Sequence, residues 1–139
     1  MFDGELSIHT DGGSRGNPGP ASCAFVVEEG DRVIHKGSEY LGKATNNHAE
    51  YSGVIIALNW LKGRKELLSR KIVFYLDSEL IVRQINGVYK VKDSNLQKLN
   101  QEILKMISDF GLNVTFKNVP RELNKIADGL VNESLDRHA

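Results

Sequence analysis

The sequence predicts an α/β domain built on a mixed β-sheet. Its N-terminal part contains three strand-like segments joined by short turns. Near residue 45 the apolar spacing becomes helical, and helical and strand segments then alternate to the C-terminus. Strands joined by short turns pair antiparallel, whereas strands separated by helices pair parallel. The 139 residues suit a single domain spanning 1–139.

The first three strands are expected to form an antiparallel meander. In the first strand, polar and apolar residues alternate from Glu5 to Thr10, and we expect the strand to end at Asp11. The second strand is predicted over residues 22–28 and the third over 32–40, with EEGD as the turn between them. Cys23 is the only cysteine and lies in the apolar run CAFVV, so we expect it to be buried and structural.

A long helix is predicted over the segment TNNHAEYSGVIIALNWLKG, because its apolar residues recur at helical spacing. The segment begins with candidate N-cap residues and ends with a glycine that can stop a helix. These residues are Thr45, Asn46, Asn47 and Gly63. Residues 71–76, KIVFYL, form an apolar run after Lys71, which is typical of a strand covered on both faces.

The remaining elements complete the alternation. A short helix is predicted from Ser78 and a longer one over residues 96–110, closed by Gly111. NVTFKNV is the fifth strand, and residues 124–135 form the last helix with Asn124 as its N-cap. We therefore expect a five-stranded mixed sheet flanked by helices, antiparallel among strands 1–3 and parallel among strands 1, 4 and 5.

The net charge is +0, but the charges are unevenly distributed along the chain. Residues 60–105 contain ten basic and five acidic residues, whereas residues 1–50 contain four basic and eight acidic ones. One side of the molecule could therefore face a phosphate backbone. On charge alone, a solvated helical surface is an equally good interpretation.

The N-terminus, MFDGE, has neither a basic start nor an apolar stretch. No run of about 18 apolar residues occurs in the sequence. We therefore expect an unprocessed cytoplasmic protein that does not bind membranes, and a monomer.

Four acidic residues occupy comparable places in the predicted elements. Asp11 and Asp77 end strands, and Glu50 and Asp128 lie in the first turns of helices. Each of them alone could be a cap or part of a solvated turn. In open α/β sheets, however, ligand sites form at the carboxyl ends of neighbouring strands. Four carboxylates there would repel one another unless a cation joined them, and oxygen ligands suit Mg²⁺ or Mn²⁺. Two such ions about 4 Å apart can flank a phosphodiester and promote in-line attack by water.

The loop after Asp11, GGSRGNPGP, raises three possibilities: a metal site, a phosphate cradle or a simple turn. It contains neither the Gly-Lys-Ser/Thr of a P-loop nor the G-x-G-x-x-G of a dinucleotide site, so a nucleotide cradle is disfavoured. Its glycines allow a backbone to approach closely.

Four motifs occur along the chain in this order: TDGGSRGNPGPA, TNNHAEYSGVIIAL, YLDSELIVRQING and NKIADGLVNE. On the basis of these motifs, the chain resembles type 1 ribonuclease H in its compact prokaryotic form. The resemblance covers essentially the whole chain. It implies the ribonuclease H-like fold and an endonuclease that hydrolyses the RNA strand of RNA–DNA hybrids. It also implies two Mg²⁺ ions, with Mn²⁺ as an alternative, held by Asp11, Glu50, Asp77 and Asp128.

The resemblance also implies contacts with the hybrid. Asn17, Asn46 and Asn47 match positions that read the sugars of the RNA strand, where the 2′-hydroxyl distinguishes RNA from DNA. Thr45 and Asn46 match a pocket for a phosphate of the DNA strand. Helix capping is the alternative role for Asn46 and Asn47, and the two roles are compatible.

Two features depart from the family pattern. The basic protrusion of many members is absent, and Lys90 and Lys92 are either a reduced substitute or solvated loop lysines. The mobile His before the last carboxylate is also absent, and Arg121 or Glu122 is the candidate replacement in VPRELNKIAD. His48 is interpreted as a surface residue at the start of a helix rather than a catalyst.

Two other functions compete with the nuclease. One is a hybrid-binding module that does not cleave, which the presence of all four carboxylates argues against. The other is a phosphohydrolase on an unrelated α/β sheet. Its common D-x-D motif is missing, because His9 precedes Asp11 by two residues.

Overall fold

A computed structural model describes residues 4–139. Five strands form one sheet in the order β3-β2-β1-β4-β5. β1 pairs antiparallel with β2 and parallel with β4, β2 pairs antiparallel with β3, and β4 pairs parallel with β5. The predicted mixed sheet is thereby confirmed. The strands are β1 (Leu6–Ser14), β2 (Gly19–Glu29), β3 (Arg32–Ala44), β4 (Lys71–Leu76) and β5 (Asn113–Asn118).

Five helices connect and follow the strands. Three of them have an N-cap side chain that accepts a hydrogen bond from a backbone N–H in the first turn: Thr45 from His48, Ser78 from Ile81 and Asp93 from Leu96. The helices are α1 (Asn46–Lys62), α2 (Lys65–Leu68), α3 (Glu79–Ile85), α4 (Ser94–Phe110) and α5 (Lys125–Arg137). No helix in the described part of the chain is long and apolar enough to cross a membrane.

The sheet is covered on both faces. On one face, apolar residues of β1, β2 and β4 pack against α1, α3 and α4 in the main core. On the other face, Val131 and Leu135 of α5 pack against Ala24 of β2. Cys23 is fully buried, as expected. Ile72, Val73 and Phe74 are buried one after another, so both faces of β4 are covered, which explains why the strand is apolar after Lys71.

Several predicted limits were wrong. β1 does not end at Asp11 but runs on to Ser14, because β2 continues to pair with it there. β2 and β3 are longer than predicted, and only Gly30 and Asp31 of EEGD form the turn. Glu50 lies in the second turn of α1 rather than the first. The short helix α2 and a 3₁₀ turn over residues 121–123 were not predicted.

Candidate active site

The site is assembled where the backbone of α1 lies directly against β1. A Cβ atom added to Gly12 would be 2.1 Å from the carbonyl oxygen of Ala49, and one added to Gly53 would be 2.8 Å from that of Asp11. Real Cβ atoms do not approach other atoms so closely. The two glycines therefore permit a main-chain contact that any larger residue would prevent.

This contact brings Glu50 of α1 to the backbone of β1. The Gly12 N–H donates a hydrogen bond of 2.9 Å to Glu50 Oε1. Asp11 and Glu50 are both buried, at 7% exposure each. The backbone hydrogen bond fixes where the Glu50 carboxylate lies beside Asp11.

The third carboxylate comes from the neighbouring parallel strand. The parallel pairing of β1 with β4 ends at His9 and Tyr75, and Asp77 directly follows β4. Asp11 and Asp77 therefore face the opening beyond the last β1–β4 pair. Carboxylate oxygens of Asp11, Glu50 and Asp77 all lie within 4.8 Å of one another.

A cavity of about 370 Å³ extends from these carboxylates. Asp128 lies in the first turn of α5, as predicted, and lines the cavity from that side. Arg121 lines it from the 3₁₀ turn. Glu122, the alternative candidate, instead lines a separate cavity with His9 and Tyr75.

The carboxylates strongly affect one another's protonation. Burial raises the pKa of Asp11 from 3.8 to about 7, and the charges of Asp77 and Asp128 add to the increase. Burial and the neighbouring Asp11 raise the pKa of Glu50 well above its usual 4.5. Without a cation, the cluster therefore holds protons at pH values where exposed carboxyls are ionised.

The donor set fits a divalent metal ion. Three closely spaced carboxylate oxygens, without histidine or cysteine, are ligands that hard cations prefer. A bound cation would replace the protons and offset the repulsion that raises the pKa values of Asp11 and Glu50.

The predicted substrate residues lie together next to the site. Asn17 Oδ1 accepts the N–H of Asn46 at 3.0 Å, and Asn46 Oδ1 accepts from the N–H and the hydroxyl of Ser14. Asn46 thus joins β1 to α1, and Thr45 is the N-cap. Asn17, Thr45 and Asn47 line a second cavity of about 450 Å³, together with Lys43 and His48. Lys90 and Lys92 are both exposed on the segment between α3 and α4.

Sequence reasoning did not single out Arg15. This residue lines the carboxylate cavity, and its Nη2 lies 2.6 Å from Asp136 Oδ1 on α5. Arg15 lies four residues after Asp11 in the same glycine-rich segment, and this position is the sequence feature that could have indicated a place near the carboxylates. Asn124 occupies the N-cap position of α5, as predicted, but its side chain makes no capping hydrogen bond and is instead buried against β1.

Residues 9–134 match the reverse transcriptase-like family. The chain is 39% identical over 137 residues to the bifunctional protein Rv2228c of Mycobacterium tuberculosis, covering 97% of this chain but only 36% of that protein. It is 34% identical over 134 residues to ribonuclease HI of Halobacterium salinarum, covering 96% of this chain and 65% of the relative.

Among solved structures, LC11-RNase H1 in complex with an RNA/DNA hybrid is 41% identical to this chain. The two superpose with a TM-score of 0.90, covering 96% of this chain and 98% of the other. A match of this extent includes the sheet and the flanking helices described above. The chain therefore belongs to the reverse transcriptase-like family and, within it, to the type 1 ribonucleases H.

Proposed function

We propose that this protein is an endonuclease that hydrolyses the RNA strand of RNA–DNA hybrids with two Mg²⁺ ions. The observation that carries the proposal is the triad of Asp11, Glu50 and Asp77, with oxygens within 4.8 Å at the open edge between two parallel strands. The similarity to an RNase H1 solved with an RNA/DNA hybrid supports the substrate. Because this chain spans only 36% of its mycobacterial relative, the activity is proposed for the domain itself.

The chain's own residues would hold the ions and orient the substrate. Asp11, Glu50 and Asp77 are the proposed ligands on one side of the cavity, and Asp128 is the proposed ligand on the side of α5. Bound Mg²⁺ would supply an activated water and positive charge at the scissile phosphate. The Gly12 N–H holds Glu50 in place, so this carboxylate needs little rearrangement when a cation binds.

Recognition of RNA is proposed for the loop that joins β1 to β2 and for the start of α1. Asn17 uses its Oδ1 to accept the N–H of Asn46, which anchors this loop to α1. Its amide N–H groups can then donate to a 2′-hydroxyl, which both donates and accepts hydrogen bonds. We propose that Asn46 and Asn47 read the neighbouring sugar and that Thr45 contacts a phosphate of the DNA strand.

Arg121 is proposed to act on the scissile phosphate or the product, since it lines the same cavity as the carboxylates. A guanidinium keeps its proton at neutral pH, so Arg121 can contribute charge but no proton transfer. Lys90 and Lys92 are proposed to contact phosphates of the hybrid farther from the site of cleavage.

A cleavage assay tests the proposal. An end-labelled RNA–DNA hybrid is incubated with the protein in Mg²⁺, in Mn²⁺ and in EDTA, next to a DNA duplex of the same sequence. We expect internal cuts in the RNA strand only with metal, and an intact DNA duplex. Asp11→Asn should bind the hybrid without cutting it. A failure to cut the hybrid with either metal, or equal cutting of duplex DNA, would contradict the proposal.

A further inference from the structure

Asn124 lies between the 3₁₀ turn over residues 121–123 and α5, and it is 1% exposed. Its side-chain Nδ2 donates to the carbonyl oxygen of Thr10 at 2.9 Å and lies 3.5 Å from Asp77 Oδ2. Its backbone carbonyl accepts the N–H of Asp128 at 3.1 Å. One buried residue is thus connected to the segments that carry three of the four carboxylates.

The Asn124 side chain fills a gap in the sheet. β1 and β4 pair up to His9 and Tyr75, and the Thr10 carbonyl lies one residue beyond that last pair. A buried carbonyl requires a donor, and the Asn124 amide supplies one where the ladder has ended. This hydrogen bond links α5 to the residue that immediately precedes Asp11.

The orientation of the Asn124 amide is determined by its neighbours. The Thr10 carbonyl and the Asp77 carboxylate are both acceptors, so rotating the amide by half a turn would place its own oxygen against two other oxygens. In the observed orientation Asn124 Oδ1 is buried without a partner among residues 4–139. The Asn124 amide therefore directs its N–H groups toward Thr10 and Asp77, although its own oxygen has no hydrogen-bond partner there.

We propose that Asn124 is a positioning residue that sets the relative positions of Asp11, Asp77 and Asp128, and through them the affinity of the site for a divalent metal. The effect on cleavage rests on the proposed function, whereas the effect on metal affinity does not. Removing partners that orient metal ligands typically lowers metal affinity or activity about 10- to 100-fold.

The test compares Asn124→Ala with Asn86→Ala. Asn86 is a control for the type of hydrogen bond, because its Nδ2 also donates to a backbone carbonyl, that of Phe116 at 3.2 Å, but the residue is exposed and does not line the carboxylate cavity. Mn²⁺ alone is titrated into each protein by calorimetry without nucleic acid. We expect about 10- to 100-fold weaker binding in Asn124→Ala and unchanged binding in Asn86→Ala.

Steady-state cleavage of a hybrid gives a second readout. In Asn124→Ala we expect a lower kcat that recovers in part at higher Mn²⁺ concentration, with KM nearly unchanged, because the proposed hybrid contacts lie on other residues. If the wild type binds Mn²⁺ but does not cut the hybrid, the proposed function fails while the metal titration still decides the role of Asn124.

A measurement on the unmodified protein covers the case in which Asn124→Ala does not fold. The side-chain amide protons of Asn124 and Asn86 are followed by NMR during a Mg²⁺ titration. We expect the Asn124 protons to exchange slowly with solvent and to shift as Mg²⁺ binds, and the Asn86 protons to stay unshifted. Unshifted Asn124 protons, or a folded Asn124→Ala with wild-type Mn²⁺ affinity and kcat, would overturn the inference.

Discussion

Replacing Asp11 by Asn should stabilise the metal-free protein at pH 8. The Asp11 carboxyl is buried beside Glu50 and is close to Asp77, so ionising it in the folded state is unfavourable. Asparagine keeps the shape of the side chain and removes its charge. We therefore expect the free energy of unfolding in EDTA to be higher in Asp11→Asn than in the wild type.

The magnitude follows from the pKa of Asp11. In the unfolded chain the carboxyl titrates near 3.8, and in the folded protein its pKa is about 7. A difference of this size corresponds to at most about 4 kcal/mol at pH 8. Because water and neighbouring groups adjust to the charge, we expect a gain of about 1–3 kcal/mol.

The dependence on pH has a definite sign. Below pH 3.8 the carboxyl is protonated in both states, so the folded state is not penalised. Between pH 3.8 and about 7 the unfolded chain releases its proton while the folded protein keeps it, and wild-type stability is progressively lost. The advantage of Asp11→Asn should therefore be absent below this window, grow through it and level off above it.

Urea unfolding of both proteins in EDTA, at a series of pH values, measures this difference. Glu102→Gln is the control, because Glu102 is an exposed carboxylate on α4 and its replacement should change stability by less than about 0.5 kcal/mol. Added Mg²⁺ should stabilise the wild type and narrow the gap, since it binds the folded state. An Asn variant that is no more stable than the wild type at pH 8, or an advantage that is the same at every pH, would refute the reasoning.

Three further predictions concern activity. Gly12→Ala should abolish metal-dependent cleavage and lower the melting temperature, because its Cβ would meet the Ala49 carbonyl at 2.1 Å; normal kinetics would contradict the role of the close contact. Arg121→Ala should lower kcat at saturating hybrid while binding in a gel-shift assay is retained, and an unchanged kcat would exclude Arg121 from the reaction. Changing Lys90 and Lys92 together to Ala should raise KM and leave kcat unchanged. It should also reduce the slope of log affinity against log salt by up to about 0.9 per lost phosphate contact, and an unaltered slope would mean that neither lysine contacts the hybrid.

Much of the architecture could be predicted because local patterns and tertiary structure agree. The alternation before Asp11, the helical spacing after Thr45 and the apolar segment 71–76 each place an element correctly. The directions of strand pairing followed from the connections, since short turns require antiparallel neighbours and helical crossovers allow parallel ones. The connections did not determine that β4 lies next to β1, which only the structure shows.

The limits that were wrong depend on contacts that are distant in sequence. Gly12 and Gly13 have weak strand propensity, yet they pair with Cys23 and Ser22 because β2 continues alongside them. Asparagine is a common N-cap residue, which is why the sequence predicts a capping role for Asn124. Only the fold shows that its side chain donates to the Thr10 carbonyl rather than capping α5. Where a strand ends and which partner a side chain binds are determined here by tertiary contacts, and a local sequence pattern carries no information about those contacts.

The contact between the main chains of β1 and α1 also bears on how the molecule responds to heat. Two backbones that touch at Gly12 and Gly53, with no side chain between them, form a stiff joint, so warming should change the spacing of Asp11 and Glu50 very little. α5, in contrast, is attached near the cavity through side chains. These are the buried Asn124, which donates to the Thr10 carbonyl, and the exposed pair of Arg15 and Asp136. Contacts between side chains are more compliant than the main-chain contact of β1 with α1. On heating, we therefore expect α5, which carries Asp128, to loosen and activity to be lost before the sheet unfolds.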